Sequence, residues 1–333
     1  MPSSPSDDLR SRREISFYRI RASHGGRGAF GRASAGRDTI NDMHRLLLHN
    51  GAILDAHEKS LSAGQVGLLN GWGVFSTLRV ADGVLFAFER HWERMHRDAM
   101  KVHVPFPQDQ AQLKADLHRL VEANGAWNST LRVMVVRNRG GMFEGPDMER
   151  EFDVLAFTKD LNPWGSDVRL GLKPNARHAA NEFSGCKILS WSQNLTWYEE
   201  AHQRGFDEVV LLNERGEVSE CTSANIFATI GGQVLTPPLD SGCLPGVTRE
   251  LLLDVVRIPG ITVTERTLTP GDLEHADQVF ITSTTRDLLP AVSIEGLKIQ
   301  NRGDVVHQLV KALEDFRKDY VKRNATPVLG RAR

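Results

Sequence analysis

The sequence predicts an α+β protein of two domains, on three observations. Short apolar runs recur between turn signals, amphipathic stretches of helical period fall among them, and a Pro- and Gly-bearing break divides the chain at KDLNPWGSD. At 333 residues the chain is long enough for two cores of ordinary size. Residues 49–54 read as a first strand and 74–80 as a second. Asp82-Gly83 then marks a hairpin turn into a third strand over 84–88. HWERMHRDAMKV is amphipathic at helical spacing, a helix follows over 110–124, and strands follow at 130–137 and 151–158.

Beyond the break, a strand at 168–173 opens the second half. Residues 188–203 place Ile188, Trp191, Leu195 and Tyr198 on one helical face, which Gly205 can end. Strands are expected at 208–212, 217–220, 225–230 and 234–236, with turns at Arg215-Gly216 and Gly231-Gly232. A helix at 249–256, strands at 279–282 and 288–294 and a terminal helix at 305–320 complete the order. The expected organisation is an N-terminal extension (1–42), an N-terminal α/β domain (43–158), a linker (159–167), a C-terminal domain (168–325) and a short tail (326–333).

Composition excludes several classes. A formal net charge of −1 gives no general attraction to nucleic acid or anionic membranes. No apolar run approaches the ~20 residues that span a bilayer. Cys186, Cys221 and Cys243 are sparse, odd in number and without metal-ligand spacing, so a reduced, cytoplasmic chain with no metal is expected. Residues 1–42 are rich in Arg, Ser and Gly and lack periodicity, which reads as a disordered tail.

Chemistry concentrates between Lys187 and Arg249. Lys187 opens KILSWSQNLTWYEEAHQRG at a loop-to-helix boundary, where an amine can enter a cleft and be activated by partial desolvation. Glu220 ends a strand in VSECTSANIF. In LPGVTRE, Gly246 allows close approach, and the N–H groups of Val247 and Thr248 open a helix that suits an anion. A second turn, ITSTTRDLLP, offers Thr284 and Thr285, and FERHWERM supplies Arg94, whose guanidinium fork suits a phosphate.

In this order, these strings resemble the class IV (fold-type IV) pyridoxal phosphate enzymes: branched-chain aminotransferases, D-amino acid aminotransferases and aminodeoxychorismate lyases. The resemblance runs from about Met43 to the C-terminus. It implies a small N-terminal α/β domain with a larger, pseudo-barrel-like C-terminal domain, and pyridoxal 5′-phosphate (PLP) as cofactor. Lys187 would be the Schiff-base lysine and proton shuttle, and Glu220 the partner of the ring nitrogen. Arg94, Val247, Thr248 and Thr284 would bind the phosphate. The string GWGVFSTLRVADG resembles the family's G-D-G-V-F-E-T-L-R, with Trp72 for Asp and Ser76 for Glu, so Phe75, Thr77 and Arg79 would line the substrate side. Arg132 falls where branched-chain enzymes carry a pocket arginine, and Thr285 would also face substrate.

The implied reaction is transamination of a branched-chain or other apolar amino acid by a homodimer. An alternative is aminodeoxychorismate lyase, in which a threonine at the Thr77 position assists elimination, yielding 4-aminobenzoate and pyruvate. A third is a non-catalytic relative kept for binding, against which Lys187, Glu220 and Arg94 together argue.

Overall fold

The computed structural model describes residues 43–58, 61–142, 144–146 and 148–325. The expected extension over 1–42 and the tail over 326–333 lie outside them. Two sheets organise the described chain, six strands in the order β2-β1-β6-β5-β3-β4 and eight in the order β12-β11-β10-β13-β14-β7-β8-β9.

The first sheet is antiparallel throughout. It contains β1 (Met43–His49), β2 (Ala52–Asp55), β3 (Gly73–Ala81), β4 (Val84–Leu85), β5 (Ser129–Arg137) and β6 (Phe152–Asp160). The single strand expected over 49–54 is instead a hairpin. Asn50 and Gly51 both adopt positive φ (50° and 81°), the turn that Asn-Gly favours, so His49 ends one strand and Ala52 begins the next. Asp82-Gly83 behaves as expected, with φ of 48° and 83°. The strand after it lasts two residues, because Phe88 begins helix α2 (Phe88–Lys101). A short helix, α1 (Val66–Asn70), precedes β3 without a sequence signal. Helices α2 and α3 (Gln110–Ala123) cover one face of the sheet. Between them lie Leu78, Leu85, Met95, Leu117, Leu120 and Leu131.

The second sheet mixes parallel and antiparallel pairs. Its strands are β7 (Val168–Arg177), β8 (Glu208–Asn213), β9 (Val218–Cys221), β10 (Asn225–Ile230), β11 (Gln233–Thr236), β12 (Thr262–Glu265), β13 (Gln278–Ser283) and β14 (Asp287–Ile294). Strand β9 sits at one end of the order and β10 near the other. They nevertheless follow each other through three residues, and Cys221 N–H donates to Ala224 C=O at 2.7 Å. The sheet must therefore curl back on itself, enclosing Leu170, Val210, Ile226 and Ile281. This is the pseudo-barrel-like half of an α+β fold.

Helices α5 (Val247–Asp254) and α7 (Val305–Asn324) pack outside the curl over Phe227 and Phe280, whose rings stack at 5.0 Å. Helix α6 (Pro270–His275) is capped by Thr269 and Asp272 in a reciprocal box. Helix α4 begins at Ser192 rather than 188 and ends at Gln203. Ile188 is unavailable to it, because its backbone bridges to Val74 of β3.

Candidate active site

A cavity of about 750 Å³ lies between the curled sheet and β3–β5 of the first sheet. Lys187 reaches it from a segment pinned by its backbone. Phe75 N–H donates to Lys187 C=O at 3.1 Å, Leu189 N–H donates to Gly73 C=O at 2.9 Å, and Lys187 N–H donates to Asp98 Oδ2 at 3.0 Å. The preceding turn needs glycine, since Gly185 has φ 76° and a Cβ there would stand 2.9 Å from Cys243 O. The Lys187 amine lies 4.6 Å from the Phe75 ring centroid and 5.6 Å from that of Trp191. Burial, then the nearby Arg94 charge, push its pKa down to about 7, against the opposing pull of Glu220. A substantial neutral fraction is thus available near neutral pH.

Arg94 is 4 % exposed and lines the same cavity. Its Nη2 donates to Ser76 Oγ at 2.7 Å and its Nη1 to Pro245 O at 3.5 Å, while its buried Nε has no partner. Among the described residues no carboxylate stands within ion-pair distance of it. Burial lowers its pKa to about 10, so it stays a cation. Ser76 also contacts His91 Nδ1 at 2.7 Å. Burial drives the His91 pKa well below its usual range, so the ring is neutral and can accept the serine proton while Ser76 Oγ accepts from Arg94.

Facing Arg94, helix α5 begins at Gly246, where a Cβ would collide with Asn225 Oδ1. Its first-turn N–H groups lack intrahelical acceptors. Val247, Thr248, Thr284 and Thr285 all line the cavity.

Glu220 also lines the cavity, with both oxygens engaged. Oε1 accepts from Arg177 Nε at 3.0 Å and Oε2 from Leu244 N–H at 3.0 Å. Arg177 Nη2 donates in turn to Asn194 Oδ1 at 3.3 Å. Arg132, opposite Thr77 in the β3–β5 register, stacks 3.9 Å from the Phe75 ring centroid, and burial lowers its pKa. Glu220 is the one carboxylate on the described wall, whereas the basic side chains are Arg94, Arg132, Lys159, Arg177, Lys187 and Arg286. A cavity so charged suits an anionic ligand.

The structure therefore brings together ten residues expected from sequence: Phe75, Thr77, Arg94, Arg132, Lys187, Glu220, Val247, Thr248, Thr284 and Thr285. It does not bring Arg79. Strand alternation puts Arg79 on the face of Phe75 and Thr77. However, it lies past the end of the cavity, where its Nη1 donates to Asp287 Oδ2 at 2.8 Å. Sequence reasoning missed Arg177, Asn194 and Arg286. Arg177 ends a strand far from its partner and carries no local signal. Arg286 follows the quoted threonines directly and could have been read with them.

Comparison with known proteins agrees with this geometry. The family model described as amino-transferase class IV matches residues 73–294. A Methanocaldococcus jannaschii protein provisionally named branched-chain-amino-acid aminotransferase is 28% identical over 80% of this chain and 95% of its own. A Bacillus licheniformis D-alanine aminotransferase is 26% identical over 76% of this chain and 89% of its own. The crystal structure of Escherichia coli branched-chain amino acid aminotransferase shares the fold, with TM-score 0.74 and 23% identity over 82% of this chain and 95% of that one.

Class IV aminotransferases use PLP, and the residues here fit it. The unpartnered Arg94 Nε and the first turn of α5 stand ready for a phosphate, and a desolvated amine for an aldehyde. Glu220, fixed at both oxygens, can take a ring N–H on its remaining lone pairs.

Proposed function

This chain belongs to the class IV aminotransferase family, and we propose that it moves an amino group between an apolar, branched-chain-type amino acid and a 2-oxo acid. PLP supplies an aldehyde that accepts an amine and a pyridinium ring that takes up electrons from the substrate Cα. The protein does the rest. Arg94, the Val247 and Thr248 N–H groups and Thr284 hold the phosphate. Glu220, its charge oriented by Arg177 and Leu244 N–H, keeps the ring nitrogen protonated through a charge-assisted hydrogen bond. Lys187 is the base that takes the Cα proton and returns it. Its depressed pKa of about 7 suits transfer in both directions.

Arg132 anchors a substrate carboxylate. Phe75, Trp191 and Leu195 give the cavity the apolar surface that an aliphatic side chain needs. Thr77 and Thr285 complete the substrate side. The exposed apolar side chains of Met43, Phe183 and Leu195 on the cavity wall support a homodimer in which a second copy covers them. Three free cysteines support a reducing, cytoplasmic setting.

One observation carries this reading: a buried arginine without a carboxylate in ion-pair distance and a half-buried, desolvated lysine face one cavity, with a glutamate fixed at both oxygens. Thr77 on the cavity wall favours a second reading, elimination of pyruvate from aminodeoxychorismate. A panel of amino donors, both enantiomers included, with 2-oxo acid acceptors and aminodeoxychorismate tests both. Keto acid formed from valine, leucine or isoleucine supports the first reading, and 4-aminobenzoate the second. Neither product from protein loaded with PLP would refute both.

A further inference from the structure

Asp287 has no part in the chemistry described above, yet its surroundings are unusual. It closes the hairpin between β13 and β14, paired in register with Ser283, and the turn it closes presents Thr284 and Thr285 to the cavity. Its φ is +59°, a left-handed conformation that a side chain disfavours and glycine adopts freely. Aspartate tolerates that region better than most side chains, and its carboxylate makes contacts here that glycine could not.

The contribution visible in the structure is a double ion pair. Asp287 Oδ2 accepts from Arg79 Nη1 at 2.8 Å, and Oδ1 accepts from Arg317 Nη1 at 2.6 Å. The two arginines come from opposite directions. Arg79 extends from β3, the strand that carries Phe75 and Thr77. Arg317 extends from α7, which is itself anchored at the start of α2. There Tyr320 O–H donates to Glu89 Oε2 at 2.6 Å, and the Tyr320 ring meets Phe86 edge-on at 5.3 Å. Helix α2 is the element that carries Arg94.

We infer that Asp287 is a positioning residue that fixes the Thr284–Thr285 turn, and so sets affinity for the cofactor phosphate. Arg79 acts through Asp287 rather than on substrate. The inference rests on the proposed phosphate site. Its consequence is selective: the clamp shapes the part of the cavity that meets phosphate and leaves Lys187 and Glu220 as they are.

The test compares PLP with pyridoxal, which has the aldehyde but no phosphate, on protein freed of cofactor. Asp287→Asn and Arg317→Gln should each weaken PLP binding about 5- to 20-fold, the scale of a partly buried charge contact. Pyridoxal affinity should stay within about twofold, as for sites that do not share partners. Asp287→Gly, which relieves the backbone but lacks the carboxylate, should weaken PLP binding as Asp287→Asn does.

Equal losses for PLP and pyridoxal, or wild-type PLP affinity in Asp287→Gly, would overturn the inference. Arg317→Gln lies on the outer helix and keeps the test open should the Asp287 variants fold poorly. Wild-type protein that takes up neither aldehyde would refute the proposed function itself, a different failure from unchanged phosphate selectivity in the variants.

Discussion

Replacing Arg94 with methionine separates a structural arginine from a ligand-binding one, because the two roles predict opposite signs. Without cofactor, the guanidinium is a buried cation held by two neutral acceptors, Ser76 Oγ and Pro245 O, and its Nε is unpartnered. Losing a hydrogen bond to a charged group costs about 1.5–3 kcal/mol. Removing a buried charge with no carboxylate in ion-pair distance regains several kcal/mol of desolvation by rough estimate, which outweighs the lost attraction to Asp98 and Glu250 because burial is the larger influence on Arg94. Methionine also refills most of the volume with a flexible apolar chain. The cofactor-free variant should therefore melt no lower than the wild type.

With PLP the sign reverses. Loss of one charge-assisted phosphate contact should weaken binding by roughly one to two decades. The cofactor's contribution to folding stability should then fall by about 1.4–2.7 kcal/mol at a fixed excess. Because the Arg94 charge helps depress the Lys187 pKa, PLP attachment should also shift to higher pH in the variant. Thermal unfolding with and without PLP, together with a PLP titration, reads all three effects. A large loss of stability without cofactor, combined with unchanged PLP affinity, would refute the assignment and make Arg94 a packing residue.

Lys187→Met should change how stability without cofactor depends on pH. The lysine has a pKa of about 7 in the fold against 10.5 as a free side chain, so its charged form opposes folding. That penalty is full below about 7 and fades by 10.5. The variant should gain stability over wild type at pH 6, with the gain lost toward pH 10, as thermal melts across pH would record. Glu220→Gln should retain PLP but lose roughly 10²–10⁴-fold in turnover, because a neutral amide cannot hold the ring nitrogen protonated; steady-state rates at saturating PLP check this. Arg132→Leu should raise KM for the 2-oxo acid by about 10- to 100-fold, the scale of one charge-assisted carboxylate contact, while PLP affinity holds.

Much of the fold was legible because its signals are local. Asp82-Gly83, the helix start at Gly246 and the strand carrying Asn225–Ile230 each depend on neighbours in sequence. Two elements depart from expectation for different reasons. Residues 49–54 carry a local turn signal in Asn50-Gly51, which the apolar side chains on both sides of it mask as one continuous strand. Ile188 fits a helical face by spacing but pairs with Val74 of the other sheet, which delays α4 to Ser192.

The same contrast divides the site. Lys187, Glu220 and the α5 start sit in short strings that keep their meaning in isolation. The setting of Glu220 does not, since Arg177 meets it across 43 residues and no local pattern announces the pair. Arg79 shows the limit of periodicity. Alternation placed it on the correct face of β3, but only the tertiary structure shows that the cavity ends before it and that Asp287 is its partner.

The central claim is that Lys187 is the amine that carries the cofactor. Its most direct test is borohydride reduction of PLP-loaded protein, followed by proteolysis and mass mapping of the pyridoxyl group. The account predicts stoichiometric label on Lys187 and none in Lys187→Met. Label on another lysine, such as Lys159 on the cavity wall or Lys173 on β7, would contradict it.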